Sequence, residues 1–209
     1  MGGKYIRQAG VVDQDRLAGS RVLVAGAGGL GCFVAVELVV AGVGTVHVVD
    51  NDVVEEHNLN RQFLYRESDV GKYKARVAEE RLRELNGDVN VKGFVASWDE
   101  LDVENYDVVF DCLDRWGEKK ALAKRRRGIT VTGSVGEGTG FVSVLAGKEI
   151  PSGSVREVRG DGVLGAWVGT VASIMAGEGI RELTGCPSPL RNRLLHINFK
   201  TMEFTLFGL

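Results

Sequence analysis

The sequence predicts an α/β fold: a mostly parallel sheet with flanking helices, finished by C-terminal antiparallel strands. Three observations carry this reading. Residues 21–25 and 45–49 are short, unbroken apolar runs with a helix-length apolar stretch between them, the pattern of a βαβ unit whose strands are buried on both faces. Between residues 72 and 86, Val77, Ala78, Leu82 and Leu85 recur at helical spacing among charged residues, which gives a second crossover helix. Residues 194–207 alternate about a turn near Lys200 and Thr201, as a terminal hairpin does. Together they describe a Rossmann-like sheet.

The remaining elements follow in order. Gly87 stands where the second crossover helix would take a left-handed C-cap. Residues 91–95, 107–110, 129–131 and 141–145 read as further strands, with a basic helix over about 116–127 inside the series. Residues 147–162 are polar, charged and glycine-rich, which suggests an exposed crossover loop covering something. A long apolar helix over 164–183 follows and is stopped by Pro187 and Pro189. No internal repeat stands out, so residues 1–209 are expected to form one domain.

Composition narrows the classes of function. With 44% hydrophobic residues in 209, the chain has enough apolar surface for its own core. Lys and Arg number 26 against 28 Asp and Glu, so no bulk charge draws it to nucleic acid or to an anionic membrane. Glycine, at 29 residues against three prolines, indicates tight turns and close backbone approaches instead of disorder. Cys32, Cys112 and Cys186 share no C-x-x-C spacing, so neither a disulfide framework nor a structural zinc is expected, and a reducing, cytoplasmic setting fits. The N-terminus lacks the apolar core of a signal peptide, and the longest uncharged run, residues 162–177, is short for a membrane helix.

The chemistry is read from two clusters. Gly26-Ala27-Gly28-Gly29-Leu30-Gly31 is a G-x-G-x-x-G element between a strand and a helix, where bare N–H groups and the positive helix end hold phosphate oxygens. Asp50, at the end of the next strand, is placed to accept hydrogen bonds from a ribose. The loop alone does not choose between a dinucleotide and ATP, and a plain packing turn is its bland alternative. Arg61 and Lys74 fall just beyond that strand end, where they could neutralise a triphosphate, a charge that hydride transfer does not require. Asp114 follows the strand at 107–110 on the side where open sheets bind ligands, and could hold Mg²⁺ against phosphates.

These residues resemble the ThiF/MoeB/HesA adenylating enzymes, bacterial and archaeal relatives of the ubiquitin-activating enzymes. The resemblance covers nearly the whole chain: Tyr5-Ile6-Arg7-Gln8, the glycine loop, Ala41-Gly42-Val43-Gly44, Asp50-x-Asp52-x-Val54, Asn58-Leu59-Asn60-Arg61-Gln62, Gly71-x-x-Lys74, Asp111-Cys112-Leu113-Asp114 and Gly162-Val163-Leu164-Gly165. It implies that ATP, with Mg²⁺, adenylates the C-terminal carboxylate of a small ubiquitin-like or sulfur-carrier protein ending in Gly-Gly and releases pyrophosphate. Carried over by position, Asp50 binds ribose, Asn58, Arg61 and Lys74 contact phosphates, and Asp52 and Gln62 complete the nucleotide site. Asp114 serves Mg²⁺ and the transition-state charge, and Arg7 reaches the phosphates of the other subunit of a homodimer. Such chemistry rests on positioning and charge neutralisation and needs no side-chain nucleophile.

The chain also departs from the pattern. Many members carry two C-x-x-C pairs and a crossover-loop cysteine; residues 147–162 contain none, and the three cysteines present read as packing residues. Adenylation without a lasting enzyme thioester is therefore expected, with the adenylate passed to a separate sulfur donor or another partner. Arg115-Trp116 stands where relatives have Asn, and Lys119 stands where they have Arg. Lys119, Lys120, Lys124 and Arg125-Arg126-Arg127 read as the solvated face and last turn of a helix, and His47, His57 and His196 as structural. Trp167, Ile174 and Met175 read as core or dimer interface on a helix apolar on most sides, which favours a homodimer. An adenylating enzyme acting on tRNA, a NAD-dependent oxidoreductase and a non-catalytic partner subunit remain the competing readings.

Overall fold

The computed structural model describes residues 3–149 and 162–209. Five strands run parallel: β1 (Arg21–Ala25), β2 (Thr45–Val49), β3 (Asn90–Phe94), β4 (Val108–Asp111) and β5 (Ile129–Gly136). Antiparallel strands β6 (Thr139–Ala146), β7 (Arg193–Asn198) and β8 (Glu203–Gly208) follow. They form one eight-stranded sheet in the order β3-β2-β1-β4-β5-β6-β7-β8. The chain order reverses at β1, so the crevice over the carboxyl ends of β1 and β4 is the place where such a sheet receives ligands.

The helices divide between the two faces because strand residues alternate. Val22 and Val24 point into a core shared with α2 (Gly29–Ala41), α3 (Lys74–Leu85) and α5 (Gly165–Leu183), all on one face. Leu23 and Ala25 point the other way, into a smaller core closed by Trp98, Val103, Tyr106 and Leu122 of α4 (Trp116–Arg125). A short α1 (Gln14–Gly19), absent from the sequence reading, is capped by Asp13, whose side chain accepts from Arg16 N, and adds Leu17 to the larger core.

Several boundaries shift for identifiable reasons. α3 ends at Leu85, and Gly87 is not left-handed: buried Asn86 leaves the helix extended and donates to Val39 O at 2.9 Å and Tyr5 Oη at 2.8 Å. β5 and β6 are longer than expected and join through Glu137 and Gly138, both at positive φ, a tight two-residue hairpin. Glycine hides the strand in the sequence: a Cβ on Gly133 would meet Met175 Sδ at 2.5 Å, so α5 can lie on the sheet only where that side chain is missing. The terminal hairpin turns where expected, with Asn198 Oδ1 accepting from Lys200 N and Thr201 N.

α5 takes the first of the two roles expected for it, core instead of dimer interface. Val168, Val171, Ala172 and Met175 are buried within the same chain, Ile174 packs against that core, and Trp167 stacks on Phe199 at 5.4 Å. The helix therefore needs no second copy to cover it. Most of the expected crossover loop at 147–162 lies outside the described residues, and among those described no helix is long and apolar enough to cross a membrane.

Candidate active site

A cavity of about 440 Å³ lies along the carboxyl edge of the parallel strands and passes from the α2 and α5 side of the sheet to the α4 side. At its centre Gly26, with φ of 95°, turns the chain out of β1 while its N–H donates to Val49 O at 2.8 Å. Gly28 is the N-cap of α2 and has no side chain to occupy the helix's first N–H groups, which are left for an anion. Gly26, Gly28 and Gly29 line the cavity. Gly31 does not; a Cβ there would fall 1.9 Å from Gly26 O, so its place is the contact between helix and loop instead of the ligand.

Asp50 binds this loop to the end of β2. Its Oδ2 accepts from Ala27 N at 2.7 Å and its Oδ1 from Asp52 N at 2.8 Å. Burial pushes its carboxyl upward, opposed by those two N–H groups and by Lys74. Each oxygen keeps a lone pair, and the residue faces the cavity, as a ribose ligand must.

The cations are set where phosphates would need them. Lys74 opens α3, the helix end that repels positive charge, and its buried Nζ is held at 3.0 Å by the exposed Asp52. Arg61 Nη1 donates to His57 O at 2.8 Å and Asn60 Oδ1 at 2.9 Å, which aims the side chain; among the described residues it has no ion pair. Both line the cavity. Beside them Gln62 is buried with an Oε1 that accepts no hydrogen bond among the described residues, a polar atom that a bound ligand or solvent would satisfy.

Asn58 and Arg7 stand elsewhere. The Asn58 side chain accepts from Glu55 N at 3.0 Å, closing the 3-10 turn Glu56–Asn58, and is buried outside the cavity lining. In this structure it shapes the segment that carries Arg61. Arg7 is exposed on the 3-10 turn Gly3–Gln8 and does not line its own chain's cavity.

Asp114 lines the cavity as an exposed carboxylate that accepts no hydrogen bond among the described residues. Beneath it lies a buried network. Lys119 Nζ donates to Asp111 Oδ1 and Asp111 O, each at 3.2 Å, and to Gly133 O at 2.8 Å, while Thr132 Oγ1 donates to Asp111 Oδ2 at 2.7 Å. Lys119 is thus an interior clamp between β4, β5 and α4, not a solvated cation. Arg126 is buried too, donating to Val103 O and Tyr106 O, so the basic run does not form one continuous surface.

The cysteines beside the site are held in the thiol form by burial. Burial pushes the Cys32 thiol up to about 12 and raises Cys112 further. Cys186 is exposed beyond α5, away from the cavity lining. His47 is buried against Tyr106 Oη at 3.0 Å, and desolvation with Arg21 and Lys92 pushes it down to about 4, so it is structural. Ser97, Trp98, Arg115, Glu118 and Ser134 also line the cavity and were not singled out as site residues in the sequence. Ser97 and Trp98 follow β3 and Arg115 and Glu118 open α4, so for these the topology rule for open sheets was the signal available, while Ser134 lies within β5.

The described residues contain no cluster of three or more His, Cys, Asp or Glu able to hold a metal among themselves. A single carboxylate such as Asp114 can still share a cation with phosphate oxygens.

Comparison with known proteins places the chain. The model of the ThiF family matches residues 4–209, and the chain belongs to that family. It is 36% identical over 194 residues to the adenylyltransferase and sulfurtransferase UBA4 of Vanderwaltozyma polyspora, covering 84% of this chain and 44% of that protein. The chain thus spans less than half of that relative's length. With the sulfur carrier protein adenylyltransferase of Thermus thermophilus it shares 36% identity over 211 residues, 90% of this chain and 78% of the other. The crystal structure of E. coli MccB with ATP superposes with a TM-score of 0.82 over 100% of this chain and 71% of MccB, at 20% identity, a shared fold.

Proposed function

We propose that this chain is an ATP-dependent adenylyltransferase that activates the C-terminal carboxylate of a ubiquitin-like or sulfur-carrier protein. The observation that carries the reading is the pairing of a side-chain-free helix N-terminus at Gly28 with Arg61 and Lys74 in one cavity. Three positive elements suit a triphosphate better than the pyrophosphate of a nicotinamide cofactor. The names of the Thermus and Vanderwaltozyma relatives support the same chemistry.

The residues divide the work. Asp50 accepts from the ribose hydroxyls, and Arg61 and Lys74 hold the phosphate oxygens against the N-terminus of α2. An oxygen of the carrier's carboxylate attacks the α-phosphorus, the bond from that phosphorus to the bridging oxygen of the leaving diphosphate breaks, and an acyl adenylate remains. The Arg61 and Lys74 charges stabilise the spread of negative charge in that transition state without reorganising. Mg²⁺ suits Asp114, a carboxylate facing the cavity that has no partner among the described residues, and when bound supplies charge neutralisation on the phosphates.

The carrier ends in Gly-Gly, the enzyme works as a homodimer in which Arg7 reaches the partner's phosphates, and a separate sulfur donor receives the adenylate. The burial of Cys32 and Cys112 supports that last point, since desolvation keeps both thiols protonated and poorly nucleophilic, although Cys112 lines the cavity. Pyrophosphate exchange tests the whole: labelled diphosphate should return into ATP in the presence of carrier, and an absence of exchange with every Gly-Gly carrier supplied sinks the proposal. Titration with NAD should give no tight binding. Sedimentation of mixed Arg7→Ala and Asp114→Ala chains, with activity partly recovered on mixing, would support the shared site.

A further inference from the structure

Glu118 is a cavity-lining carboxylate that no contact among the described residues employs in the fold. It occupies the third position of α4, where a Glu commonly accepts from the N-cap N–H, yet no such bond to Arg115 is made. Among the described residues it forms no ion pair and accepts no side-chain hydrogen bond, although Arg115 is close enough to favour its charge and Asp114, Asp99 and Asp111 close enough to oppose it.

Its position in the nucleotide site follows from the layers. Gly28, Gly29, Arg61 and Lys74 lie on the α2 and α3 side of the sheet, and Asp50 lies at the edge between the faces. A nucleotide with phosphates on the first side and ribose at Asp50 must send its base over the edge to the α4 side. There Arg125 donates to Asp99 O at 2.6 Å and to Leu101 O at 2.9 Å and lies 5.8 Å from the Trp98 ring, which ties α4 to the turn after β3. Glu118 precedes Arg125 by two helical turns and shares its face, so it looks toward Ser97 and Trp98 across the cavity. One wall carries the Trp98 indole, and the other presents the Glu118 carboxylate with Arg115 beside it.

We propose that Glu118 is a specificity-determining residue, its carboxylate accepting a hydrogen bond from the exocyclic amino group of a purine base set against Trp98. The proposal rests on the nucleotide reading above and adds which base is chosen. A carboxylate accepts but does not donate, so it favours a base carrying an amino group at the six position and disfavours one carrying a carbonyl oxygen there. Charge-assisted bonds of this kind discriminate by roughly ten- to a hundredfold.

The test compares equilibrium binding of ATP, of purine riboside 5′-triphosphate, which lacks the amino group, and of ITP, which replaces it with a carbonyl. The wild-type chain should bind ATP at least about tenfold more tightly than either analogue. In Glu118→Ala the ratio of ATP to purine riboside triphosphate should fall toward one, and in Glu118→Gln, whose amide can donate, ITP should gain on ATP. Equal binding of all three by wild type, or an unchanged ratio in both variants, overturns the proposal. A uniform loss for every triphosphate in Glu118→Ala also overturns it, because that is the signature of a metal or phosphate role. Wild-type chain that binds no triphosphate at all brings down the nucleotide reading itself, a result distinct from the other two.

Discussion

Lys119 Nζ lies 3.2 Å from Asp111 Oδ1 with both side chains 1% exposed, an ion pair sealed inside the domain directly below the turn that presents Asp114. Desolvating two charges is costly, and the pair is tolerated because Gly133 O, Asp111 O, Leu113 N and Thr132 Oγ1 supply the remaining hydrogen bonds. Removing one partner leaves the other charge stranded. Lys119→Met should therefore cost about 3–5 kcal/mol of stability in urea unfolding, and a loss below about 1 kcal/mol would mean that the clamp is not structural.

Arg61 and Asp114 bear on the cavity and hardly on the core. Arg61→Ala and Asp114→Ala should each reduce ATP–pyrophosphate exchange by roughly a hundredfold or more while the far-ultraviolet dichroism and melting temperature stay close to wild type. Exchange retained in both variants would remove these residues from the phosphate site.

Gly31 is silent in binding but not in packing. A methyl group there would overlap Gly26 O at 1.9 Å, and the neighbouring atoms belong to backbone that cannot yield. Gly31→Ala should destabilise the fold by about 1–3 kcal/mol and weaken ATP binding together, as overpacking does. A variant with native stability and native affinity would contradict the close approach.

The thiols should separate cleanly by exposure. Under native conditions an alkylating reagent should modify Cys186 and spare Cys32 and Cys112, whose protons are held by burial. Mass spectrometry after a brief exposure reads the outcome. A reductant-sensitive conjugate between enzyme and carrier would show instead that one thiol takes part in transfer.

His47 gives the molecule a dependence on acid. The unfolded imidazole binds its proton near 6.5 and the folded one only near 4, so between those values the unfolded chain holds more protons. Stability contributed by the neutral ring is complete above the higher value and is lost as pH falls toward the lower, with a slope of at most about 1.4 kcal/mol per pH unit. Arg21 and Lys92 oppose its protonation, while Glu79 favours it. His47→Gln should be less stable at pH 7.5 and show a shallower loss between pH 6.5 and 4 in denaturant titrations; an equal slope would place the titrating group elsewhere.

What the sequence displayed depended on whether a residue's neighbours were local. The first βαβ unit was legible because strands buried on both faces leave nearly continuous apolar runs, as in Val22–Val24 and in Val46, Val48 and Val49 around His47. β5 and β6 were half hidden, since Gly133 and Gly140 are glycines for the sake of α5, a contact made across more than thirty residues. The phosphate side of the site was readable from the glycine loop and from Arg61 and Lys74, because motif spacing records it. The α4 side was not: Ser97, Trp98 and Glu118 come together only when Arg125 docks on the turn after β3. Lys119 looked like surface charge because its partner, Asp111, sits eight residues away across a turn whose geometry only the sheet defines.

Ala27, in the middle of the glycine loop, is held at both ends of its peptide: its N–H by Asp50 at 2.7 Å and its carbonyl by Tyr65 Oη at 2.7 Å. A loop tethered in this way has no slack to take up when a guest arrives. Capture should then be a single exponential in stopped-flow records, its rate rising linearly with guest concentration and showing no plateau from a slow rearrangement.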